Sequence, residues 1–186
     1  MELRAATYYV KETKAPKGFQ LDKNVYTMTV KVNETTTLKV SDTPKVIDTL
    51  VELFKIDMET SKATPQGNAS LEGAEFVWKY YDGYYTKDNL PAESTRTWTT
   101  KTIAEKDSNN EVHYITRLAD SYKVSGDSFY TQNGTVCLPL GTITVEEKAA
   151  PNGYLLEGAY MQASGSSEQI KGVYVAQITE DGELAA

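Results

Sequence analysis

The sequence has one cysteine, Cys137, and one histidine, His113, in 186 residues. A lone cysteine forms no internal disulfide, and no C-x-x-C or H-E-x-x-H ligand set can be written. Most metal and nucleophile chemistry is thereby excluded. Basic charge is in the minority: 19 Lys+Arg stand against 26 Asp+Glu, a formal net charge of -7. An acidic chain lacks the basic surface that displaces counterions from phosphate, so nucleic acid is not an expected partner. No apolar run approaches the roughly 18 residues that span a bilayer, and no charged n-region leads into an apolar h-region. These absences leave an acidic protein with no expected metal, cofactor or membrane insertion.

What is present points to strands. Tyr (13 of them), Thr and Val are plentiful, and such side chains suit a pleated, half-buried surface. Turn signals recur at Pro16-Lys17-Gly18, Asn33-Glu34, Asp82-Gly83, Asn133-Gly134, Pro151-Asn152-Gly153 and Asp181-Gly182. Alternating stretches lie between them: 25–32, 37–40, 51–56, 74–81, 143–147 and 172–178. Many short strands between spaced turns predict an all-β sandwich or barrel. A single weak helix is expected within 97–106.

A long internal repeat sets the organisation. Tyr8-Tyr9-Val10-Lys11-Glu12 leads through a spacer to Ala15-Pro16-Lys17-Gly18-Phe19. Ile143-Thr144-Val145-Glu146-Glu147 leads likewise to Ala150-Pro151-Asn152-Gly153-Tyr154. The two glutamates lie 147 − 12 = 135 residues apart, the length of a domain. Residues 1–45 therefore read as the back half of one domain. Residues 46–186 read as a second domain that lacks its last strand and carries a long polar insertion at 87–132.

Residues two apart on a strand share a face. Lys55 thus joins Val51 and Leu53, Glu147 joins Ile143 and Val145, Glu12 joins Tyr8 and Val10, and Asp42 joins Leu38 and Val40. A charge on an apolar face pairs, shifts its pKa or snorkels from a strand end. Four instances, two of them within a repeat, weaken the snorkelling account and leave a chemical reading open beside it. A lysine amine among apolar side chains becomes a nucleophile, and a neighbouring glutamate can polarise a side-chain carbonyl and shuttle protons. Attack on Asn or Asp expels ammonia or water and leaves an amide cross-link.

These residues resemble a known family. Val51-Glu52-Leu53-Phe54-Lys55-Ile56-Asp57 with Leu71-Glu72-Gly73-Ala74-Glu75-Phe76 resembles the opening of a Cna B-type (SpaA-like, prealbumin-like) domain. Leu138-Pro139-Leu140-Gly141 through Gly153-Tyr154 resembles its later strand and glutamate-bearing box. The resemblance implies an inverse immunoglobulin-like β-sandwich, one partial module followed by one nearly complete module. It implies a structural module of a Gram-positive pilus-like or cell-wall surface protein, with neighbouring modules as partners, and no turnover enzyme. It assigns Lys55 as the isopeptide-forming lysine, with Glu147 and Glu12 as assisting glutamates. Asp42 falls where the family usually has its acceptor Asn. The acceptor for Lys55 and the lysine partner of Asp42 are expected outside the chain. Strand exchange between copies, with 37–42 of one molecule completing the second domain of another, is an additional expectation.

A rival reading makes the same fold an adhesin module. Tyr80, Tyr81, Tyr84 and Tyr85 around Asp82-Gly83 would form a platform for a host protein or glycan, aided by the 87–132 insertion. Cross-strand aromatic packing is the plainer account of those tyrosines. A Cys137/His113 hydrolase is a third reading, against which Cys137 reads as a small buried hydrophobe on an apolar strand.

Overall fold

A computed structural model describes residues 4–47, 51–179 and the backbone of 184–185. The chain divides into two compact units, Met1–Lys45 and Val46–Ala186.

The first unit is built on one antiparallel pair, β1 (Ala6–Lys11) and β2 (Val25–Val30). Tyr8 pairs with Met28 and Val10 with Tyr26, so one half-buried face carries the larger side chains. The opposite face leaves Tyr9 and Val25 exposed. The expected strand over 37–42 does not form: these residues have no ladder partner among the described residues. They run on without regular secondary structure, tied beforehand by Thr36 Oγ1 donating to the Thr29 carbonyl (3.1 Å) and afterwards by Gln20 N donating to the Thr43 carbonyl (2.8 Å).

The second unit contains β3 (Val46–Ile47), β4 (Glu52–Lys55), β5 (Glu75–Tyr81), β6 (Arg96–Lys101), β7 (Ile103–Lys106) and β8 (Val112–Arg117). It continues with β9 (Lys123–Gly126), β10 (Tyr130–Gln132), β11 (Thr135–Pro139), β12 (Gly141–Ala149), β13 (Tyr174–Ile178) and β14 (Leu184–Ala185). A six-stranded sheet runs β14-β13-β12-β5-β6-β9; two three-stranded sheets run β4-β8-β7 and β10-β11-β3. The fold is all-β and of prealbumin-like sandwich type, with one short 3-10 turn at Lys87–Asn89. Its core forms where Trp78 of β5 sits opposite Trp98 of β6, with Phe76, Ile143, Val145, Ala176 and Ile178 around them. Val51 and Leu53 pack on this cluster from the β4 side.

Two expectations are corrected here. Residues 97–106 are not helical but form β6 and β7, because inward Trp98 and Thr100 alternate with outward neighbours. The 87–132 stretch is not an insertion of loop; it supplies β6, β7, β8, β9 and β10. Its polarity misleads because Thr100, Thr102 and Thr116 are buried with their hydroxyls bonded. Thr116 Oγ1 donates to Thr100 Oγ1 at 2.7 Å, joining β8 of one sheet to β6 of another, and Trp78 Nε1 donates to the same oxygen at 2.8 Å. A satisfied hydroxyl is tolerated inside where an unpaired one is costly.

Candidate functional site: a buried amine and carboxylate

β4 carries Leu53 and Lys55 inward and leaves Phe54 outward and exposed. β12 carries Ile143 and Val145 into the core, and Glu147 follows on the same face, opposite Phe76 of β5. The β12–β5 register shifts between Glu147 and Ala149. Such an irregularity bends a strand and re-aims its side chains. Lys55 Nζ reaches Glu147 Oε2 at 2.8 Å, with the two side chains only 17% and 9% exposed. The alternation read from the sequence thus brings together two residues 92 apart.

The pair is incomplete in one respect. Glu147 Oε1 is buried and has no hydrogen-bond partner among the described residues. Leaving a buried carboxylate oxygen unsatisfied costs free energy. The atom lies beside the lysine amine and has capacity for a further group.

A second tie links the same two segments. Asp57, 1% exposed, accepts at Oδ1 from the backbone N–H groups of Glu59 (3.0 Å) and Thr60 (2.8 Å). Its Oδ2 accepts from Gln66 Nε2 (3.0 Å) and from the Tyr154 hydroxyl (2.8 Å). The Thr60 amide, then Tyr154 and Gln66, hold the Asp57 carboxyl well below the ordinary aspartate range. Asp57 and Tyr154 appear in the sequence only as family-motif positions; the signal for their role was an Asp two residues beyond Lys55, followed at Thr60 by a capping partner. Tyr154 closes the turn Pro151-Asn152-Gly153, where Gly153 has φ +85 and a Cβ would lie 2.7 Å from Ala69 Cβ. Only glycine fits there.

The first copy of the motif is arranged differently. Glu12 Oε2 accepts from the backbone amide of Asp22 at 2.6 Å, and Asp22 Oδ2 accepts from the Tyr26 hydroxyl at 2.5 Å. Tyr26 is pushed up chiefly by that bond to Asp22, with a smaller push from the nearby charge of Asp42. Asp42 is half-buried and on no strand.

The tyrosine platform is not assembled as expected. Tyr80 and Tyr81 are 2% and 5% exposed, with the Tyr80 hydroxyl donating to the Leu140 carbonyl. They are core residues and cannot stack on a ligand. Tyr84 is 41% exposed, and Tyr85 packs edge-on against Tyr81. Cys137 is buried in β11, while His113 on β8 has its Nε2 on Asp107 Oδ2 at 3.2 Å. Asp107, Glu111 and His113 offer ligand atoms within 4.8 Å of one another. The local bonding accounts for that grouping: Asp107 Oδ1 accepts the amides of Asn109 and Glu111 and so closes the β7–β8 turn.

Residues 1–44 match the sequence model of the SpaA prealbumin-like fold domain. The chain carries a SpaA-like domain sequence. The structure of the Bacillus anthracis TIE protein superposes with a TM-score of 0.50 at 23% identity, covering 98% of this chain and 24% of that one. That likeness is one of fold. No curated protein matches the chain in sequence. Among the described residues no helix is long and apolar enough to cross a membrane.

Proposed function

We propose that this chain is a structural module of a Gram-positive cell-surface or pilus-like protein, and that its second unit forms an amide cross-link from Lys55. The observation that carries this is the buried Lys55–Glu147 pair with Glu147 Oε1 unpartnered. In this reading Glu147 takes one proton from the Lys55 ammonium, freeing the amine lone pair. Nζ then attacks the side-chain carbonyl carbon of an Asn or Asp brought beside it. The new C–N bond forms as the C–N bond of Asn, or the C–OH bond of Asp, breaks. Glu147 passes that proton to the departing group, which leaves as ammonia or water, and then takes the second proton from Nζ, so the amide nitrogen keeps one hydrogen and Glu147 ends protonated. Carboxylate and amine need only be held in place for this, with water excluded, and no metal or cofactor takes part.

The chemistry turns over once and leaves a covalent staple, so the module is a load-bearing part rather than a catalyst of metabolism. Glu12 and Asp42 are the corresponding assisting and acceptor groups of the first unit, and neighbouring modules of the same surface protein are the natural partners. The test is intact mass and denaturing-gel mobility of the protein as its own cells make it, beside Lys55→Ala and Glu147→Ala. The expected wild-type mass falls short of the sequence mass by one ammonia or water beyond any deficit in the variants. Equal deficits in all three would overturn the proposal.

A further inference from the structure

We infer that Asp57 and Tyr154 are a positioning pair that holds Lys55 against Glu147; the purpose assigned to it rests on the amide-forming reading above. β4 ends at Lys55, so the ladder to β8 no longer fixes the chain beyond that point. The next fixed point is Asp57, whose N–H donates to the Lys62 carbonyl and whose own carbonyl accepts from Ser61 N, each at 2.8 Å. Within that turn, the Glu59 and Thr60 donors are met by Oδ1 alone. Oδ2 is left over for groups from elsewhere: it takes the Tyr154 hydroxyl and shares Gln66 Nε2 with Oδ1. Tyr154 belongs to the segment that follows Glu147 out of β12.

The two segments are therefore joined twice, at Lys55–Glu147 and at Asp57–Tyr154, each at 2.8 Å. One tie would leave the long lysine side chain free to sample its rotamers, which is entropically favoured. A second tie two residues along fixes the strand end and removes that freedom. Tyr154 is itself set by its turn: its N–H donates to the Pro151 carbonyl, and Ser70 N donates to the Asn152 carbonyl. The Asp57 carboxyl stays ionised at any physiological pH, so the clamp does not slacken with modest acidification. The first motif copy supplies the contrast. Phe19 stands where Tyr154 does and has no hydroxyl, and there the glutamate holds a backbone amide.

The experiment reads the Lys55 amine directly. The chain with its Lys55 amine free is treated with an N-hydroxysuccinimide acetate at fixed pH, far below its unfolding temperature. Acylation of each lysine is followed by peptide mass spectrometry. Tyr154→Phe removes the hydroxyl and keeps the ring; Ile178→Val, a core change in β13, serves as a control for general destabilisation. Lys55 is expected to acylate about fivefold faster in Tyr154→Phe, with Lys101 and Lys106 unchanged and Ile178→Val like wild type. Equal Lys55 rates in Tyr154→Phe and Ile178→Val would overturn the clamp. An accelerated Lys55 in Tyr154→Phe would support the clamp even if no amide is found in the cell-made protein, so the two proposals fail separately.

Discussion

The two copies of the Glu-x-x-Ala-Pro-x-Gly-aromatic motif share a sequence and differ in what they hold. Glu147 faces a lysine amine across a packed core, with one oxygen left over. Glu12 faces a backbone amide in a unit where, among the described residues, no hydrophobic side chain is fully buried. The motif itself therefore supplies only a strand end, a turn and a carboxylate. Surroundings decide how far that carboxylate is shielded: Glu147 continues a strand whose Ile143 and Val145 lie in a packed core and is itself 9% exposed, whereas a two-stranded sheet builds no such core around the first copy.

The largest expected contrast is in local stability. Amide protons of β5 and β12 should exchange about three orders of magnitude more slowly than those of β1 and β2, as read by native-state hydrogen exchange; equal protection would erase the contrast. Next comes charge removal. Lys55→Ala strands a buried carboxylate and should cost the second unit about 3 kcal/mol in denaturant unfolding, against about 1 kcal/mol for Glu12→Ala in the first. The turn glycines differ less. Gly153→Ala meets Ala69 as well as an unfavourable φ, and should cost about 2 kcal/mol. Gly18→Ala, at φ 82, carries the conformational cost of about 1 kcal/mol.

The last effect is confined to alkaline pH. Burial, and then a hydrogen bond to Glu105, push the Tyr122 hydroxyl up to about 12 from an ordinary 10.0. The unfolded chain loses this proton first, so stability should decline as pH rises from 10.0 towards about 12. Tyr122→Phe should flatten that decline in pH-dependent unfolding, since it removes the titrating group.

The Lys55–Glu147 pair was legible because it obeys the simplest strand rule. Lys55 and Glu147 each interrupt an apolar face at a two-residue spacing, and burial then forces the two charges together. The threonine-rich strands were not legible for the opposite reason. Thr100, Thr102 and Thr116 look like surface in a sequence, and only the fold shows each hydroxyl meeting another group. Thr37 to Asp42 misled in the other direction: its alternation is right for a strand, yet a strand requires a ladder partner. Tyr80 and Tyr81 read more plainly as cross-strand packing than as a platform, and the fold puts both in the core. The Asp57–Tyr154 tie depends on an Asx turn and a distant hydroxyl, which no periodicity announces.

The central claim is that Lys55 ends as an amide. Tryptic peptide mapping of the protein as its own cells make it tests this directly, because trypsin does not cut after a lysine whose amine is acylated. The account predicts no cleavage after Lys55 and a branched peptide in which Lys55 is joined to an Asn- or Asp-derived side chain, lighter than its two parts by one ammonia or water. Recovery of Lys55 throughout as the free C-terminal residue of a linear peptide would contradict it.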